Sequence, residues 1–173
     1  MSYLLDTNVL LRWVHLAAAE HPLTVAAVLL LQERDEVLCI APQNLVEFWS
    51  VATRPADVNG LGLTPARVAQ ELHELQRLFT LLPDTPAIFE DWLHLVVTLD
   101  VMGKQVHDAR IAAVMRVNGI SHILTLNVGD FNRYPGITVV HPRDVIPPDD
   151  AATQTDDGAE GTDQAVGPTG EAD

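Results

Sequence analysis

Leu4-Leu5-Asp6-Thr7-Asn8-Val9 carries an apolar run straight into a carboxylate, and then into residues that can open a helix. Tyr3–Leu5 reads as a short buried strand, and about Asn8–Ala18 as the helix that follows it. Outward from this segment the same alternation continues. A helix is expected over Leu23–Glu33, behind Pro22 at a favourable first-turn position. Val37–Ala41 is an apolar strand. Asn44–Arg54 follows as a helix, with Leu45, Phe48, Trp49 and Ala52 at helical spacing. Gly60 and Gly62 mark a loop read as mobile. Thr64-Pro65 opens a helix to about Arg77, with Thr64 as its cap. Phe79–Leu82 is a candidate third strand stopped by Pro83. Helices are expected over Thr85–Val101 and His107–Asn118, the latter ended by Gly119. His122–Leu126 and Ile137–Val140 bring the candidate strands to five. The pattern predicts an α/β fold: three layers, a mainly parallel sheet of about five strands, and helices on both faces.

The 173 residues suit one domain, expected over 1–146, with an acidic disordered tail over 147–173. No apolar stretch approaches the roughly 20 residues that span a bilayer; the longest run is Val25–Leu31. No signal peptide is read, and the lone Cys39 excludes an internal disulfide or a multi-cysteine metal site. These features predict a cytoplasmic protein. The net charge is −14; without the six acids beyond Ala151, 18 acids still face 10 bases, a net of −8. An acidic body disfavours non-specific grip on a nucleic-acid backbone and favours a basic partner, bound divalent cations, or both.

In open α/β sheets, ligands bind beyond the carboxyl ends of the strands. Asp6 ends the first strand. Glu47 lies one turn into the helix after the second. Asp108 opens the helix leading into the strand at His122, and Asp130 follows that strand, with Asn127 between. Singly, each acid has an ordinary explanation. Asp6 can cap the first helix. Asn44 and Glu47 have the offset of a capping box. Asp108 complements a helix dipole, and Asp130 suits an Asx turn. Together they would repel unless a cation lay among them. Carboxylates and amides without cysteine suit Mg²⁺ better than zinc.

The segments Leu4–Val9, Pro42–Phe48, His107–Arg110 and Thr125–Phe131 resemble the PIN-domain family, and within it the VapC-like toxins of type II toxin–antitoxin pairs. The resemblance covers about residues 3–141. It implies an acidic Mg²⁺ pocket in which Mn²⁺ can substitute, cleavage of single-stranded RNA, and a cognate antitoxin with a basic segment. It also implies a homodimer. By motif match, Asp6, Glu47 and Asp108 correspond to the family's three central acids, and Asp130 to a more variable fourth. Asn8 and Asn127 fall at supporting polar positions. Some relatives carry an acid in place of Asn127, which leaves one or two metals open. Under this reading Asp6, Asp108 and Asp130 hold metal, Glu47 ligates through water or acts as the base, and Arg110 is a candidate contact to RNA phosphate.

Other acidic-pocket folds fit less well. A phosphotransfer receiver needs a lysine near a later strand end, whereas Lys104 stands between helices. An aspartate-nucleophile phosphatase wants Asp-x-Asp, and here Asn8 takes the second place. No Gly-rich turn marks a dinucleotide fold. Two alternatives remain: a PIN-like RNA- or protein-binding module without turnover, and a housekeeping RNA-processing nuclease without an antitoxin.

Overall fold

The structure, a computed structural model, describes residues 1–147; the tail expected over 147–173 lies outside the described residues but for its first. Five strands form one parallel sheet: β1 (Ser2–Leu5), β2 (Val37–Ile40), β3 (Thr80–Leu81), β4 (His122–Leu124) and β5 (Thr138–Val140), in the order β3-β2-β1-β4-β5. Seven helices accompany them among the described residues: α1 (Thr7–Val14), α2 (His21–Glu33), α3 (Pro42–Thr53), α4 (Pro65–Leu78), α5 (Pro86–Thr98), α6 (Gln105–Val117) and α7 (Pro142–Val145). The chain winds outward from β1 to β3, then returns to place β4 against the other side of β1. That reversal sets a switch point at the β1/β4 seam, where a crevice opens beyond the strand ends.

Strand residues alternate between two buried clusters, as a pleat with helices on both faces requires. Tyr3, Leu5, Leu38, Ile40 and Leu124 pack with Leu10, Val28, Phe48 and Leu75 from α1 to α4. Leu4, Cys39 and Ile123 point the other way, onto Ile88 and Leu95 of α5 and Ile111 and Met115 of α6. The three central strands β1, β2 and β4 are therefore largely buried, while the edge strands β3 and β5 are more exposed, and the expected three-layer α/β architecture is the observed one. Among the described residues no helix is long and apolar enough to cross a membrane.

Element ends follow local chemistry. Thr64 Oγ1 accepts the Arg67 N–H at 3.3 Å with Pro65 in the first turn of α4. At the end of α6, Gly119 at φ +67° lets Ile120 N–H reach the Met115 carbonyl at 2.8 Å. The first helix stops at Val14, short of the expected Ala18, and its last turn is closed when His21 Nδ1 donates to the Arg12 carbonyl at 2.8 Å. β4 ends at Leu124, two residues early.

The Gly60–Gly62 loop is pinned to the end of α3. Leu61 N–H donates to Val51 O at 3.2 Å, Gly62 N–H to Arg54 O at 2.8 Å and Leu63 N–H to Ala52 O at 2.9 Å. The expectation of a mobile loop gives way to these bonds. A Cβ on Gly60 would collide with the Arg54 carbonyl, which is backbone and cannot swing aside. Gly60→Ala should therefore cost about 1–3 kcal/mol in denaturant melts, as overpacking does. Gly129→Ala, whose Cβ would meet open space, should be neutral or slightly stabilising. Equal effects would show that the loop yields.

Candidate active site

The seam between β1 and β4 is closed by Asp6. Its N–H donates to the Leu124 carbonyl at 3.0 Å, and its own carbonyl accepts from Val9 and Leu10 at the start of α1. The side chain, only 9 % exposed, accepts three hydrogen bonds: Thr7 N–H to Oδ1 at 2.7 Å, and Asn8 Nδ2 and Thr125 Oγ1 to Oδ2, each at 2.7 Å. The cap expected from propensity is present, and the same carboxylate faces the strand ends. Asn8 also donates to Thr125 Oγ1 at 3.0 Å, and its Oδ1 accepts the Leu126 N–H at 3.1 Å. Asn127 is exposed; its backbone N–H donates to Thr125 Oγ1 at 3.0 Å. Thr125 thus ties β4 to Asp6, Asn8 and Asn127.

On the β2 side, Glu47 Oε2 accepts from Thr7 Oγ1 at 2.9 Å and Oε1 from Gln43 Nε2 at 2.8 Å. Gln43 Nε2 also donates to the His107 carbonyl at 3.1 Å, joining α3 to the start of α6. The expected Asn44–Glu47 capping box does not form. The helix begins at Pro42, so Asn44 sits in its first turn. There it accepts the Ala41 N–H at 2.9 Å and donates to Thr7 Oγ1 at 3.2 Å. Arg110 is engaged rather than free: Nη2 forks onto Asp84 at 2.8 and 2.9 Å, and Nη1 donates to Gln43 Oε1 at 3.1 Å. Both contacts come from one nitrogen, so the pair lacks the two parallel N–H···O bonds of the strongest Arg–carboxylate geometry. Contact with phosphate would compete with this pair.

Asp108, half-buried in the first turn of α6, and Asp130, exposed at the end of a 3₁₀ turn (Val128–Asp130), make no side-chain hydrogen bond among the described residues. Burial pushes the Asp6 carboxyl up to about 6, against the bonds from Thr125 and Thr7, and the Glu47 and Asp130 charges add to the rise. Asp108 is also raised to about 6, by burial first and then by the charges of Asp130, Asp6 and Glu47. The four acids from four separate segments therefore share one electrostatic neighbourhood. Burial first, then Asp108, holds the Tyr134 phenol up at about 12.

Among the described residues, no three acid, histidine or cysteine side chains stand close enough to form a ready-made ligand shell. The donor set nevertheless fits a hard cation. It is all oxygen, and two of its carboxylates have no proton donor to offset their charge. Asp6, Asp108 and Asp130 are the residues that could hold it.

Sequence reasoning missed Thr125, Thr7, Gln43 and Asp84. By sequence, Thr125 stands in an expected strand and in the motif segment Thr125–Phe131 without a role of its own, though a threonine two residues before Asn127 at a strand end carries a usable signal. Gln43 and Asp84 gave none: each acts on a residue distant along the chain.

A family model described as the PIN domain matches residues 3–137. Curated proteins gave no match. Among solved structures, one of the VapBC2 complex from Rickettsia felis, bound to a promoter DNA fragment, is similar at 15 % identity, covering 82 % of this chain and 98 % of that chain, with a TM-score of 0.63. A DNA-bound VapBC complex from Salmonella typhimurium is similar at 19 % identity, with 82 % and 98 % covered and a TM-score of 0.62. VapC20 of Mycobacterium tuberculosis, described as a sarcin–ricin loop cleaving toxin, is similar at 20 % identity, with 70 % and 86 % covered and a TM-score of 0.51. At these identities the likeness is one of fold. With the family match spanning most of its length, the chain belongs to the PIN-domain family.

Proposed function

We propose that this chain is a metal-dependent endoribonuclease that hydrolyses phosphodiester bonds in single-stranded RNA, acting as the toxin of a toxin–antitoxin pair. Mg²⁺ is the assigned ion, with Mn²⁺ able to substitute. A cognate antitoxin with a basic segment, a homodimeric state and a cytoplasmic setting complete the reading. One observation carries it: Asp6, Glu47, Asp108 and Asp130 come from four separate segments of the fold, and Asp108 and Asp130 make no side-chain hydrogen bond among the described residues. Like charges gathered this way cost stability unless a cation is their usual company. The fold likeness to toxins of VapBC complexes supports the toxin assignment.

Asp6, Asp108 and Asp130 would hold the ion. A bound Mg²⁺ would supply Lewis acidity toward the attacking water and positive charge toward the phosphoryl oxygens. Thr125 and Asn8 keep Asp6 in one rotamer by donating to the same oxygen. Glu47, steadied by Thr7 and Gln43, takes the proton from the attacking water. The water oxygen bonds to phosphorus in line with the departing 3′ oxygen, whose bond to phosphorus breaks and which takes a proton from solvent. The products carry a 5′-phosphate and a 3′-hydroxyl.

Asp6→Asn should lower RNA cleavage roughly 100-fold or more while circular dichroism stays native. Mapping of RNA ends after brief expression reads both activity and target, and full activity in this variant would refute the assignment.

A second expectation concerns pH. The folded pKa of Asp6 and of Asp108 is about 6, above the ordinary 3.8, so the native state binds more protons between those values. Their contribution is fully present below about 4 and lost as pH rises through about 6. Metal-free protein should therefore lose Tm over that interval, and Mg²⁺ should raise Tm more at pH 7.5 than at pH 5. Asp108→Ala should flatten both responses; a variant that behaves like wild type would remove Asp108 from the metal set.

A further inference from the structure

Beyond the acid cluster, on the β5 side, lies a cavity of about 310 Å³ whose wall includes Asn8 and Asn127. None of the four acids lines it; its link to the candidate active site is Asn8, which donates to Asp6 at 2.7 Å. The parallel sheet explains the placement. The residues that follow β1, β4 and β5 emerge side by side at one end, bringing α1, Asn127 and the His141–Arg143 turn together. From those elements Arg12, His141 and Arg143 also line the cavity, as does the Glu20 carboxylate that pairs with Arg12.

These three side chains have donors to spare. Arg143 is exposed, and its guanidinium makes no hydrogen bond or ion pair among the described residues; only its backbone N–H is engaged, donating to His141 Nδ1 at 3.0 Å. Because Nδ1 accepts there, the neutral His141 ring carries its proton on Nε2, which is left as a donor. Arg12 pairs through Nε with Glu20 at 3.2 Å, both groups well exposed, and its other guanidinium nitrogens have no partner among the described residues. A pair of that kind is held weakly and exchanges readily for another anion.

The distribution of positive charge gives this cluster its meaning. In an acidic body, cations are scarce, and most are already committed. Arg67 pairs with Glu71, Arg77 with Glu74, Arg110 with Asp84 and Arg116 with Asp91. Arg34 donates to the Val145 carbonyl and Arg133 to Gln105. The side chains of Arg54, Lys104 and Arg143 are unengaged among the described residues, and of these Arg143 lines the cavity that reaches Asn8 and Asn127. On the opposite flank Arg110 is already clamped.

We propose that this cleft seats a backbone phosphate of the single-stranded RNA, the one adjacent to the phosphate under attack, with Arg143 as the main contact and Arg12 and His141 Nε2 in support. The inference rests on the nuclease reading and adds to it the direction in which substrate leaves the acids: toward β5, not toward Arg110. A neighbouring phosphate held by arginine also offsets the repulsion that four carboxylates exert on a polyanion.

The test uses the full chain carrying Asp6→Asn, so that RNA is bound and not cut. A fluorescein-labelled single-stranded octaribonucleotide is titrated by anisotropy in Mg²⁺ across a KCl series. Adding Arg143→Ala should weaken binding about 10-fold and reduce the slope of log K against log salt by about one, as for a lost phosphate contact. Arg77→Ala, on α4 at the other end of the sheet, should change neither, and Tm checks that each variant is folded. In the active background, Arg143→Ala should raise KM for the octamer but leave cleavage of a dinucleoside monophosphate, which has no adjacent phosphate, unaltered. Unchanged octamer binding by Arg143→Ala overturns the cleft while leaving the nuclease reading intact. An equal loss on both substrates also overturns it, since the arginine would then act at the reacting phosphate. Failure of the Asp6→Asn parent to bind RNA at all removes the nuclease reading and the cleft together.

Discussion

A carboxylate buried at the junction of the two central strands is the constraint on which this molecule is built. Asp6 terminates β1, joins it to β4 through its N–H, starts α1 through its carbonyl and caps that helix through Oδ1. Leaving such a group unsatisfied would cost several kcal/mol, so three donors converge on it. Even so, burial keeps its pKa near 6. The structural demand and the chemical opportunity are the same fact: burial at the seam raises the pKa of a carboxylate that the fold cannot place elsewhere, and the charges of Glu47 and Asp130 add to the rise. The capping role seen at Oδ1 leaves the role proposed for the same carboxylate open to it.

What the sequence made legible was the alternation of elements and the acids at the strand ends, because both depend on local pattern. Apolar runs of three to five residues separated by helical periodicity admit few arrangements other than a parallel sheet with two covered faces. Helix boundaries were less visible, and a small error in them reassigns side chains. Starting α3 at Asn44 makes that residue a cap for Glu47. Starting it at Pro42 turns Asn44 into an acceptor for Ala41 and a donor to Thr7. Thr125 was hidden for a related reason. It was read as a strand residue, whereas the ladder ends at Leu124 and its hydroxyl is free to bind Asp6 across 119 positions of chain. The Gly60 loop, read as mobile, is anchored by carbonyls at the end of α3, which no composition rule reveals.

The relative placement of the acids is governed by neutral donors and one arginine. Gln43 receives Arg110 on its carbonyl oxygen, and its amide donates both to Glu47 and to the backbone just before Asp108. Arg110 in turn is fixed by the Asp84 fork. Movement of α6 relative to α3 therefore strains Gln43 before it separates Glu47 from Asp108. Trp92 adds a second brace by donating to the Val106 carbonyl at 2.9 Å. On the other side, Thr125 and Asn8 do the same for Asp6.

This bracing has a consequence for how an acidic protein can act on a polyanion. Carboxylates free to swing would relax away from one another into water. Held by fixed hydrogen bonds at Asp6 and Glu47, they retain mutual repulsion, which a bound dication would relieve. A centre organised in advance of such a cation would lose less entropy on binding it. Under the proposed function the same negative charge would repel RNA, and the arginines of the proposed β5-side cleft would oppose that repulsion. Repulsion at the centre and attraction at one edge would then give a polynucleotide one favoured path across the strand ends.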